Sequence, residues 1–173
     1  DNGAMGFQSF SRVIGYNDYF GMEDFVKKPE YGGNSVFDGF WAIWDEEFLQ
    51  FYALQMSQMQ QPFITTVFTA SSHHPYKVPE RYQDIYKDEP VDNNVMHKCI
   101  RYVDNALRLF FDTAKQQPWY SNTVFVITAD HTNRSSRKEY ETDLGVFSVP
   151  IIIYDPSGNI KPARRHCIAQ QID

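Results

Sequence analysis

The stretch "YVDNALRLFFDTAKQQPWYSNTVFVITADHT", residues 102 to 132, decides the fold class. Its first half repeats apolar residues every three or four positions. Val103, Leu107, Phe110/Phe111 and Ala114 form one face of a helix. Val95/Met96 and Ile100 extend that face upstream, so the helix is expected from Asp92 or Asn93 to about Gln116. "QQPWYSN" turns the chain, and "TVFVITA" is a β-branched and aromatic run that reads as a strand. The strand runs straight into Asp130 and His131. A long helix followed by a buried strand is the repeating half of a βαβ unit.

The same pattern continues outward. Asp45 is expected to cap a helix reaching about Gln60, with Glu46 and Glu47 in the first turn, where negative charge suits the helix dipole. Phe48, Tyr52, Gln55/Met56 and Met59 follow as a core stripe. After Pro62, "FITTVFTA" reads as a strand, and "SVPIIIYD" as another, closed by a "DPSGN" turn. Met5, Phe7, Phe10, Val13 and Ile14 are spaced as in a helix that Gly15 ends. Residues 17 to 43, rich in Gly, Pro and aromatics, read as a long surface excursion. The expectation is an α/β fold: one domain over residues 1–173, built on a mostly parallel sheet with helices on both faces.

Composition narrows the function. The 173 residues are 42% hydrophobic, enough for a real core. A net charge of −6 without any Lys/Arg-rich run argues against a nucleic-acid partner. Cys99 and Cys167 form no metal or disulfide pattern and are expected as two free buried thiols. No apolar run approaches the ~20 residues of a membrane helix.

Ligands of open parallel sheets bind at the carboxyl ends of the strands. Two strands here end in ionisable pairs, His73-His74 and Asp130-His131. A carboxylate beside an imidazole suits Zn or Mn, and less readily Mg. The plainer alternatives are a turn or capping Asp with a hydrogen-bonded His, and a surface "HHP" loop. Arg134 and Arg137 could hold an anion, or simply be solvated.

At these residues the chain resembles the C-terminal part of the catalytic domain of sulfatases in the alkaline phosphatase superfamily. Within that superfamily it looks most like the lipoteichoic-acid-synthase-like group of phosphoglycerol transferases. The resemblance rests on "DGFWAIWDEEFLQF", "QPFITTVFTASSHHPYKVP", the opening stretch, and "VPIIIYDPSG" running toward "QQID". It implies that Asp130 and His131 are metal ligands and that His73, rather than His74, contacts the substrate's phosphate group. It implies a divalent metal cofactor (Mn, Mg, Zn or Ca) and an anionic ester substrate, a lipid headgroup or a glycan. It also implies a parent protein in the bacterial cytoplasmic membrane with its catalytic domain outside the cytoplasm.

The family's nucleophile is a Thr, or a modified Cys in C-x-P-x-R, and neither motif is present. The Trp and Arg that glycerol-phosphate polymerases use for the headgroup fall near Met5 and Phe7 here. The nucleophile and a further acidic ligand are therefore expected in an N-terminal half that acts as partner to this piece. The piece alone is expected to be inactive and to be able to dimerise, through an open sheet edge or through the exposed aromatics of residues 17 to 44. The rival readings are a non-catalytic α/β binding module and, within the superfamily, a phosphoethanolamine transferase or phosphodiesterase.

Overall fold

The computed structural model describes residues 9–12 and 18–21 by their backbone, and 36–40, 42–86, 96–132, 135, 137–165 and 167–170 in full. The chain forms two compact units, Asp1–Pro118 and Trp119–Asp173.

The first unit contains β1 (Ser9–Arg12), β2 (Asp18–Gly21), α1 (Asp45–Met56), β3 (Thr65–Val67), the short α2 (Glu80–Gln83) and α3 (Met96–Ala114). The three strands form an antiparallel sheet in the order β2-β1-β3, with Phe10 opposite both Phe20 and Val67. The helix expected over residues 5–14 is thus a strand in its described part. Pairing on both sides satisfies the backbone of β1. Apolar spacing alone did not separate the two states. β2 likewise replaces part of the expected irregular excursion.

α1 is buried nearly all round. Phe48, Leu49, Phe51 and Ala53 are at most 1% exposed, and Tyr52 and Met56 are buried beside them. Removing each large side chain from water contributes roughly 1.5–3 kcal/mol. α3 is amphipathic. Its buried stripe is Cys99, Tyr102, Ala106, Phe110 and Ala114, at three- and four-residue steps. The stripe is rotated from the expected one, for Ile100 is 44% exposed and Tyr102 takes the inward place. The helices meet where Tyr52 stacks on Phe110 at 5.8 Å and Thr113 Oγ1 donates to Gln50 Oε1 at 2.7 Å. A second cluster joins Tyr76, Val78, Tyr86, Cys99 and Tyr102, with Trp44 and Tyr82 packed against it.

The second unit holds β4 (Phe125–Thr128) and β5 (Ile151–Tyr154), with short 3-10 turns at Tyr120–Asn122, Lys138–Tyr140 and Gly145–Phe147. Both strands lie where the sequence places them, and they pair antiparallel, Phe125 opposite Tyr154 and Thr128 opposite Ile151. Helices alternating with strands keep the chain in the α/β class. The parallel pairing expected of these strands is not among the described ladders. β3 and β4 belong to separate sheets, and both sheets are antiparallel. Among the described residues between β4 and β5 the helical elements are 3-10 turns. A parallel partner needs a crossover, usually helical, so this connection favours the antiparallel return. Val124, Val126 and all four residues of β5 are exposed. No helix among the described residues is long and apolar enough to cross a membrane.

Candidate functional site

His73 stands six residues beyond the end of β3, on a loop anchored from beneath. Ala70 and Ser71 are buried. Their backbone amides donate to Asp45 Oδ1 at 3.0 and 3.2 Å, and Asp45 N donates back to Ser71 Oγ at 3.0 Å. Two turns follow: His73 N donates to Ala70 O and Tyr76 N to His73 O, both at 3.0 Å. Tyr76 sits at φ 59°, a left-handed conformation that costs a non-glycine residue roughly 1–3 kcal/mol. Its buried ring, part of the aromatic cluster, holds it there.

The imidazole of His73 is exposed, and its Nδ1 lies 2.9 Å from the carbonyl of His74. Its outward chemistry therefore falls to Nε2. His74 packs edge-on against Tyr76 at 5.9 Å, which gives it a packing role. A shallow cleft beside His73 is bounded by Asp38, Trp44, Ser71, Pro75 and Lys77. Lys77 Nζ rests 5.0 Å over the ring of Phe40, so a cation stands on the cleft rim. Lys77 had no motif to announce it.

Asp45 was expected as a helix cap. The N-cap is Trp44, and the Asp45 carboxylate reaches across to the 70–71 loop instead. Glu46 and Glu47 are also structural. Glu46 N donates to Tyr102 Oη at 3.1 Å, Tyr82 Oη donates to Glu46 Oε2 at 2.6 Å, and Arg81 reaches Glu47 Oε1 at 2.6 Å. Burial pushes the Glu47 carboxyl above its ordinary range, against the pull of its own backbone hydrogen bond and of Arg81.

Asp130 and His131 follow the end of β4. His131 N donates to Asp130 Oδ1 at 2.9 Å, which turns Oδ2 toward the ring. The Thr132 carbonyl, 2.6 Å from His131 Nδ1, assigns the proton to that nitrogen. His131 Nε2 lies 3.4 Å from Asp130 Oδ2, longer than an ordinary hydrogen bond. Two donors bound at ~2.0–2.1 Å to one tetrahedral ion stand about 3.3–3.4 Å apart, so the pair fits a metal's bite. Both side chains are about half exposed. Among the described residues no group of three or more His, Cys, Asp or Glu is placed to hold a metal ion.

Thr132 N donates to Val146 O at 2.6 Å, pinning the segment after His131 to the 145–147 turn. A Cβ on Gly145 would fall 1.8 Å from the Glu139 carbonyl, so the turn requires glycine. Arg137 is exposed, while Arg134, Met5 and Phe7 lie outside the described residues. Burial pushes the Cys99 thiol up to about 11, which leaves it protonated and unreactive near neutrality. Cys167 is exposed, contrary to the buried thiol expected there.

The sulfatase family model matches residues 1–173. The chain is 29% identical over 121 residues to the lipoteichoic acid synthase-like protein YvgJ of Bacillus subtilis, covering 69% of this chain and 19% of that protein. It is 28% identical to lipoteichoic acid synthase 1 of Bacillus subtilis, covering 70% of this chain and 18% of that one. With the lipoteichoic acid synthase of Staphylococcus aureus it shares 26% identity over 65% of this chain and 18% of that protein. The chain thus spans about a fifth of the length of the curated relatives it matches. A solved structure of an alkaline phosphatase superfamily protein from Vibrio parahaemolyticus superimposes with a TM-score of 0.53 at 31% identity, covering 69% of this chain and 29% of that one. The chain belongs to the sulfatase family and carries part of an alkaline-phosphatase-superfamily fold.

Proposed function

We propose that this chain supplies part of the active site of a metal-dependent hydrolase or transferase acting on phosphate or sulfate esters at the cell envelope. The observation that carries the reading is the Asp130 Oδ2 and His131 Nε2 pair, facing each other at 3.4 Å with Nδ1 engaged by Thr132. A divalent ion, when bound, polarises the ester and stabilises an attacking oxygen. Asp130 and His131 would hold it, with the Thr132 carbonyl taking the Nδ1 proton so that Nε2 is the nitrogen left for the ion. His73 Nε2 hydrogen-bonds an ester oxygen and moves a proton to or from it. Lys77 on the cleft rim adds a point charge that favours an anion.

The nucleophile is proposed to come from a part of the catalytic domain outside these 173 residues. That part, together with the anionic lipid headgroup or glycan, is the proposed partner. The proposed location follows the lipoteichoic acid synthase resemblance: anchored in the cytoplasmic membrane, with the active site outside the cytoplasm. The 173 residues alone are proposed to be inactive.

The test is turnover by the complete protein, offered a phosphodiester and a sulfate monoester side by side. Diester turnover that disappears in the Asp130→Ala/His131→Ala variant supports phosphoryl transfer at this strand end. Sulfate ester turnover keeps the site and changes the substrate. Activity that survives both substitutions means the pair is scaffold, and the reading fails.

A further inference from the structure

The chemistry above makes no use of the most deeply buried acid among the described residues of the first unit. Asp45 is 0% exposed at the first position of α1. A carboxylate taken out of water costs several kcal/mol unless good partners compensate it. The helix does not need it as a cap, for that position is Trp44. Its carboxylate instead takes the amides of Ala70 and Ser71, with Oδ2 also 3.3 Å from Ser71 N, and its own amide holds the Ser71 hydroxyl. The link runs both ways between one helix end and one dipeptide.

What that dipeptide carries gives the link its meaning. The carbonyl of Ala70 accepts from His73 N at 3.0 Å, so the residue whose amide Asp45 fixes is the residue on which the His73 turn is built. Ser71 and His73 line the same cleft. We propose that Asp45 is a positioning residue for His73: its carboxylate sets the turn that presents the imidazole to the anionic ester. The inference rests on the role given to His73 above. A misplacement of about 1 Å in a reacting group costs on the order of a hundredfold in rate, which is the scale of effect at stake.

The test is a double-mutant cycle in the complete protein, reading kcat and KM on whichever ester the wild type turns over. Asp45→Ala is expected to lower kcat/KM by about tenfold to a hundredfold. Combined with His73→Ala it should cost nothing further, because a positioning residue has nothing left to position. Asp45→Asn keeps an oxygen for the two amides and should recover most of the activity. Ser71→Ala removes only the return link from the hydroxyl. It should show a smaller loss that also vanishes in the His73→Ala background, and it decides the matter if Asp45→Ala does not fold. Losses that multiply in the double variants would show that Asp45 acts on general stability, and would overturn the inference while His73 kept its role. A His73→Ala enzyme with wild-type kinetics would overturn both.

Discussion

His73 stands on a loop whose neighbours are locked into a buried aromatic frame, whereas Asp130 and His131 stand at the end of a largely exposed hairpin. Beneath His73 lie Asp45, Ser71, Tyr76 and Tyr102, all buried and joined by hydrogen bonds or packing. Around Asp130 and His131 the order comes from short-range bonds to each other, to Thr132, and from Thr132 to the 145–147 turn. One region is built from within by its core. The other is built by local backbone geometry and relies on little burial. The two are therefore expected to respond to substitution in opposite ways: the first by losing stability and then function, the second by losing function at nearly constant stability.

The largest effect is expected in the frame. Tyr102→Ala removes a fully buried ring and the acceptor for Glu46 N, and should cost roughly 3–5 kcal/mol in urea unfolding, as for other aromatic-to-alanine changes in cores. Tyr102→Phe, which removes only the hydroxyl, should cost about 1–2 kcal/mol. If both are silent, the frame is not what holds the His73 loop.

His131→Ala should reduce kcat/KM and metal content by more than about a hundredfold, beyond what the loss of an outer partner of a metal ligand costs. Its unfolding midpoint should stay within about 0.5 kcal/mol of wild type, since the side chain is 44% exposed. Metal analysis alongside calorimetry checks both halves. A large stability loss would erase the contrast between the regions.

Val126→Thr on β4 sharpens the comparison. With Val126 62% exposed, the change should move stability by no more than about 0.5 kcal/mol. A cost well above that in the complete protein would reveal a surface that covers the hairpin there.

The smallest effect concerns pH. Burial raises the folded pKa of Glu47 above its ordinary 4.5, so the folded state holds that proton more tightly than the unfolded one. Its contribution to stability is fully present below 4.5 and is lost as pH rises through the folded value. Glu47→Gln does not titrate, so its stability relative to wild type should climb across that window. The lost ion pair with half-exposed Arg81 offsets only about 0–1 kcal/mol. Urea midpoints at pH 4 and pH 7 give the slope, and a slope of the other sign would place Glu47 outside the frame.

Features fixed by near neighbours in sequence were readable. α1, α3, β4 and β5 lie where apolar periodicity put them, because a helix face and a strand's residue types are local properties. Pairing partners were not readable in the same way. β1 passed for a helix because its state is decided by β2 and β3. The antiparallel return of β5 had a signal, since the polar linker before it offered no crossover helix. At the site, Asp130 and His131 were visible because they adjoin in sequence and end a strand. Asp45 was visible as a residue but not in its role, for its partners are 25 and 26 positions away. One clue was available: it lies in phase with Phe48, Leu49 and Tyr52, on the face that the helix buries. Lys77 carries no pattern at all, and only the loop's path brings it to the cleft.

The exposed hairpin also governs how the 173-residue chain behaves as a colloid. Two short strands with open edges and outward Val and Ile side chains attract like surfaces, and at neutral pH a net charge of −6 keeps molecules apart. Near the isoelectric point of about 5.3 that repulsion vanishes while the attraction remains. Solution measurements on this chain near that pH therefore call for dilute protein and for light scattering recorded at every point.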